Sequence, residues 1–177
     1  MQAFLDNTMS EFQKLRKQAE SALSQVSDDE FFRALDAESN NLAVLCQHLG
    51  GNMMSRWSGF LTEDGEKPDR RRDAEFEVAS GATRDQIMER WQAGWQCLFD
   101  NLGALTPEDL GRTIRIRSQP LSVLEAIHRQ LTHAAGHVGQ IVFLARHWKG
   151  AEWKTLSVPR GRSEEFHAAL REKYGSS

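Results

Sequence analysis

The stretch Leu131-Thr132-His133-Ala134-Ala135-Gly136-His137-Val138-Gly139-Gln140 decides how this chain is read. It lies inside a longer apolar pattern, Leu124, Ile127, Leu131, Val138, Val142 and Ala145, that recurs with the period of an α-helix. A helix rises about 1.5 Å per residue and turns once in about 3.6 residues, so His133 and His137 stand one turn apart on one side. On a wheel of about 100° per residue they point roughly 90–130° away from the apolar direction. They therefore flank the core instead of filling it, and Gln140 and Leu144 share their side. Two imidazoles at this spacing can share one cation.

A third histidine stands in an earlier pattern. Leu42, Leu45, Leu49, Met53 and Phe60 define one apolar direction, and His48 lies about 110° off it. Three histidines at the margins of two apolar faces suit a site at the mouth of a helix bundle. Asn52 follows His48 by one turn and is placed to support it. Glycines accompany all three: Gly50 and Gly51 follow His48, and Gly136 and Gly139 flank His137. Glycine inside a helix is unfavourable unless a close backbone approach or room for a ligand offsets it. The bland alternative is a set of surface or interfacial histidines.

Working outward, five helical segments are expected. The first spans about 5–25, followed by a short turn over 28–35 that Ser27 and Glu30 would cap. The second long helix begins at Asn40 or Asn41 and runs to about 61, with Gly50-Gly51 as its weak point. Residues 62–80 form a polar connection, long enough to suggest a functional loop. The third long helix covers about 83–102, with Thr83 and Gln86 as its capping box. Residues 106–110 read as a single turn, and 113–117 as a short edge strand or an extended linker. The fourth long helix runs over about 122–148 and ends near Gly150, and a short helix over 163–174 closes the chain. The fold class expected is all-α: an antiparallel four-helix bundle with short extra helices, in one domain over 1–177.

Composition narrows the function. Net charge is −3, which gives no global pull toward nucleic acid or a membrane surface. No stretch approaches the roughly 20 apolar residues of a membrane span, and the N-terminus lacks the order of a signal peptide. Cys46 and Cys97 form no Cys-x-x-Cys pair and read as thiols in a reducing cytoplasm. Three neutral imidazoles suit zinc, nickel, iron or copper over magnesium or calcium, and leave a coordination position open. The helix reads His-Ala-Ala-Gly-His, so the glutamate of the zinc-protease His-Glu-x-x-His motif is missing and peptidase chemistry by that route is disfavoured.

At these residues the chain resembles the DinB-like (YfiT-like) superfamily of metal-dependent proteins, nearest a branch of small bacterial proteins of unknown function. The resemblance rests on Gln47-His48-Leu49-Gly50-Gly51-Asn52-Met53-Met54-Ser55-Arg56-Trp57, on Gly65-Glu66-Lys67-Pro68 with residues 70–76, on residues 130–144 and on residues 153–159. It implies a four-helix bundle, a divalent metal such as zinc or nickel on His48, His133 and His137, and a homodimer. Relatives of known activity include thiol-dependent S-transferases and an isomerase that uses a low-molecular-weight thiol.

The remaining candidates surround the triad. Arg56 falls near the apolar side, unusual for a charge, and is expected to pair with a carboxylate of the Asp73-Ala74-Glu75 loop, or else to snorkel past the core edge. Glu66, Asp73 and Glu75 are the loop carboxylates to consider as acids or bases. The run Arg70-Arg71-Arg72 sits among acids and reads as a solvated loop. Trp91 and Trp95 are expected in the core or a dimer contact, and His128, His147 and His167 at the surface. The function expected is metal-dependent transfer or hydrolysis of a small-molecule substrate, with a thiol or a water activated. The alternatives are a non-catalytic metal-binding or stress-response interaction protein, and a scaffold whose histidines hold nothing.

Overall fold

The computed structural model describes residues 1–175. It is mostly helical, with helices α1 (Gln2–Leu23), α2 (Asp28–Phe32), α3 (Leu42–Trp57), α4 (Arg84–Gly103), α5 (Val123–Lys149) and α6 (Ser163–Tyr174). A two-stranded antiparallel sheet, β1 (Thr113–Ile116) with β2 (Gln119–Ser122), precedes α5. Short 3-10 turns occupy Asp73–Phe76, Pro107–Gly111 and Gly150–Glu152. No helix among the described residues is long and apolar enough to cross a membrane.

Local chemistry sets the helix starts. Asn41 Oδ1 accepts from the Val44 N–H to open α3, and capping boxes at Ser27/Glu30, Thr83/Gln86 and Ser122/Glu125 open α2, α4 and α5. Two expected boundaries shift. α3 ends at Trp57, short of residue 61, because Ser58 turns extended and Gly59 takes φ +56°. The segment 113–117 is not a lone strand but half of a hairpin. Its turn residues Arg117 and Ser118 both have positive φ, 54° and 63°, a conformation that glycine or asparagine usually supplies. Here Asp64 holds the turn from outside, accepting from the Arg117 and Ser118 N–H groups at 2.8 and 2.7 Å.

The four long helices each have two long neighbours: α3 packs chiefly on α4, α1 on α5, and the contacts α3–α5 and α1–α4 join the pairs. The core between them is dense with large side chains. Phe12, Trp91, Trp95, Leu98 and Ile127 have no exposed surface, so Trp91 and Trp95 are core residues. His128, His147 and His167 are exposed. Cys46 is buried and Cys97 partly so, and neither is in a disulfide.

Two glycines let α3 and α4 touch at the backbone. A Cβ on Gly50 would lie 2.5 Å from the Arg90 carbonyl oxygen, and one on Gly94 would lie 2.6 Å from Gly50 Cα. Gly136 and Gly139 differ: a Cβ there meets nothing within 4 Å. No other helix of this chain closes on them. Gly50→Ala should therefore lose about 1–3 kcal/mol or more through overpacking. Gly139→Ala should gain up to about 1 kcal/mol from helix propensity. Urea denaturation midpoints of the two variants check both signs.

Candidate metal centre

His48 sits mid-way along α3, 4% exposed. Its Nδ1 lies 2.9 Å from Glu75 Oε2. Glu75 arrives on the 3-10 turn Asp73–Phe76, which the residue before His48 secures. Gln47 Nε2 is within 3.1–3.2 Å of the carbonyl oxygens of Ala74, Glu75 and Glu77. Gly51 admits the carboxylate, since a Cβ there would stand 2.7 Å from Glu75 Oε1. Phe76 covers the imidazole with ring centroids 4.6 Å apart. Arg70 clamps the same carboxylate from the other side, its Nε and Nη2 each 2.8 Å from an oxygen. Burial works to raise the Glu75 pKa, but the hydrogen bonds from His48 and Arg70 outweigh it and hold the group below its ordinary value.

The three histidines of two helices converge. His48 Nε2 is 3.3 Å from His133 Nε2, and His137 Nε2 is 3.2 Å from the same atom. Each offers one ring nitrogen, and the three lie within 4.8 Å of one another. His137 Nδ1 is 2.8 Å from Gln140 Oε1. Both Glu75 and Gln140 present oxygen acceptors, so the neutral His48 and His137 carry their protons on Nδ1. Their Nε2 lone pairs then face His133. Buried His133 Nδ1 has no partner, so nothing fixes its tautomer. With its proton on Nδ1, three lone pairs meet at one place, which only a cation or a proton relieves.

The donor set fits a divalent ion. A tetrahedron with zinc–nitrogen bonds of about 2.0–2.1 Å has an edge of about 3.3 Å, matching the two short nitrogen separations. Imidazole donors favour zinc, nickel, copper or iron. Two of the three, His133 and His137, also resist protonation. Burial first, then the positive charges of His137, His48, Arg56 and Arg70, push the His133 pKa down from 6.5 to about 4. Burial lowers His137 as well, against a smaller opposing contribution from Gln140. Both rings are thus kept in the form that ligates metal.

A cavity of about 400 Å³ opens beside His48 and His133. Asn52, Arg56 and Arg70 line it. The carboxylate partner of Arg56 differs from the one expected. Its Nη1 meets Glu66 Oε2 at 2.7 Å and donates to the Gly65 carbonyl at 2.6 Å. The Asp73-Ala74-Glu75 turn is held by Arg70 instead. Asp73 is not at the site: its side chain is 99% exposed. Arg70 in turn is no solvated loop residue, since its side chain is 4% exposed. Sequence reasoning missed Gln47 and Arg70, because their partners depend on how the connection folds back over α3.

The family profile described as a protein of unknown function, DUF1572, matches residues 1–162. The chain belongs to the DUF1572 family. The match takes in all three histidines and ends just before α6. No curated protein matches the chain.

The depressed imidazoles make a pH prediction for this DUF1572 protein held in chelator. The unfolded His133 takes a proton near 6.5 and the native one only near 4, so the unfolded state binds more protons between these values. Native stability should therefore fall as pH drops from about 6.5 toward 4, and be flat above that window for this group. Glu75 and Glu66, both lowered from 4.5, give stability lost only below about that pH. Thermal midpoints at pH 7.5, 6.0 and 5.0 check this, and His133→Leu should flatten the slope between them.

Proposed function

We propose that this chain is a divalent-metal-dependent enzyme of the DinB-like kind, one domain built as an antiparallel four-helix bundle with its ion on His48, His133 and His137. The observation that carries the proposal is the meeting of three Nε2 atoms, two of them with tautomers set by Glu75 and Gln140. Zinc or nickel is the ion we favour. When bound, it would supply Lewis-acid activation of a thiol or a water beside it.

The chain's own residues perform the rest. Glu75 keeps a proton on His48 Nδ1, and Arg70 keeps Glu75 ionised by taking both its oxygens. Gln140 orients His137. The cavity beside the triad would receive the substrate, with Asn52 and Arg56 on its wall. No carboxylate among the described residues is free to act as a base there. Glu66 and Glu75 are both spent on arginines, and Asp73 faces solvent. Hydrolysis that needs a carboxylate base is thus less supported than thiol-dependent transfer, in which the nucleophile only sheds its own proton. A low-molecular-weight thiol would be the co-substrate. We also propose a cytoplasmic homodimer. Two unpaired thiols suit a reducing compartment, and α5 presents an open apolar strip of Gly136, Gly139 and Phe143, the last 62% exposed. The same shortage of a base favours, as a second reading, a non-catalytic metal-binding module.

Elemental analysis of protein purified without a histidine tag should find about one divalent ion per chain, lost in His137→Ala. Glu75→Gln should weaken metal affinity by about 10–100-fold, the usual effect of removing the acceptor behind a ligating imidazole. Wild type without metal overturns the proposal. Metal-loaded protein incubated with electrophiles and a panel of small thiols separates enzyme from binding module: absence of turnover favours the module.

A further inference from the structure

The cavity beside the triad has an unbalanced wall. Five arginines line it and no aspartate or glutamate does. They come from separate parts of the chain: Arg56 from α3, Arg70 and Arg72 from the connection, Arg117 from the hairpin turn and Arg129 from α5. Among the described residues, the carboxylates within salt-bridge distance of these five are Glu66, Glu75 and Asp73. Glu66 alone serves three of them, at 2.7 Å from Arg56, 2.9 Å from Arg117 and 3.4 Å from Arg70. The hydrogen bonds of Arg56 run from Nη1, and Arg129 has no carboxylate within reach among the described residues. Positive charge therefore exceeds negative in a partly enclosed space, where low-dielectric walls concentrate the field.

Polar side chains add donors to the same wall. Gln130 is 4% exposed and Trp57 2%, and Gln130 Nε2 and Trp57 Nε1 are buried without partners. Asn52, 8% exposed, leaves its Oδ1 unpaired. Buried polar groups of this kind are normally satisfied; with His133 Nδ1, four such atoms belong to residues that line the cavity, and Gln130 Nε2 and Trp57 Nε1 are N–H donors. Trp57, Phe60, Ile114 and Ile116 form an apolar side to the same cavity. A volume of about 400 Å³ is in the ordinary range for a small-molecule site.

We infer that this cavity is an anion pocket that takes a small organic carboxylate, its charge on the arginines and its apolar body on the wall of Trp57, Phe60, Ile114 and Ile116. Planar guanidinium groups recognise carboxylates through paired hydrogen bonds. The inference rests on reading this cavity as the substrate side of the histidine site, and it names the class of substrate: an anionic carboxylate held next to the triad.

Calorimetric titration of the full chain with benzoate, and with neutral benzamide, tests it on chelator-stripped and zinc-treated protein. Benzoate should bind both forms at one site per chain, about tenfold or more tighter than benzamide, a difference of about 1.4 kcal/mol. Arg129→Gln changes an exposed helix position and should fold as wild type by circular dichroism while weakening benzoate several-fold. Arg117→Gln should do likewise, and Arg146→Gln, on α5 outside the cavity, should leave the affinity unchanged. Equal affinity for benzoate and benzamide overturns the inference, as does benzoate binding that neither Arg129→Gln nor Arg117→Gln weakens. The metal arm separates the two ideas. Protein that holds zinc but does not prefer benzoate defeats the carboxylate pocket alone. Protein that prefers benzoate but holds no zinc defeats the metal reading alone and supports the pocket.

Discussion

Glu75 carries its charge into a place where water scarcely reaches it, with a side chain 10% exposed. Burying a carboxylate is costly unless it is paired and fully hydrogen-bonded. Here His48 and Arg70 satisfy it between them, and the three groups can only be buried together. Removing one partner of such a buried pair typically costs about 3–5 kcal/mol, because the other is left uncompensated. This small cluster locks the long connection onto α3. It also sets the tautomer of His48, so the same contact that organises the loop turns the Nε2 lone pair toward His133. A second carboxylate, Glu66, repeats the arrangement at the far side by gathering Arg56, Arg70 and Arg117.

The helices supply the rigid frame that makes these contacts repeatable. Gly50 and Gly94 bring α3 and α4 into backbone contact, which leaves α3 little freedom to slide. His48 and Gln47 stand two and three residues from Gly50. α5 is continuous from Val123 to Lys149, so His133 and His137 keep their one-turn spacing without help. The site is thus a fixed histidine pair on one helix meeting a fixed histidine on another. Only the connection and the hairpin, which bring Arg70, Arg72 and Arg117, have to fold over to complete it. Asp64 joins those two segments by holding the hairpin turn.

Much of the site could be read beforehand because helical spacing is a local property. The separation of His133 from His137, the offset of His48 from its apolar face and the capping of α3, α4 and α5 follow from neighbours three or four residues apart. The misreadings share a cause. Arg56 was matched to the wrong carboxylate and Asp73 was drawn toward the site. The sequence makes Arg70 look solvated and gives no local sign of β2. Each depends on which distant segments come together. A charge run such as Arg70-Arg71-Arg72 looks solvated whether or not one member turns inward, because the sequence does not display the buried acceptor. The hairpin turn carries neither glycine nor asparagine, so the residue that stabilises it, Asp64, lies outside any local pattern.

By itself the sequence determined the helices, their caps, their apolar faces and the identity of the three imidazoles. These are set by short-range periodicity and by hydrogen bonds within a single turn. Only the tertiary structure decided that the three Nε2 atoms meet, that Glu75 and Gln140 fix two of their tautomers, and that five arginines surround the cavity beside them. His48 and His133, for example, are 85 positions apart. They exist only after burial has removed the water that would otherwise satisfy each group separately.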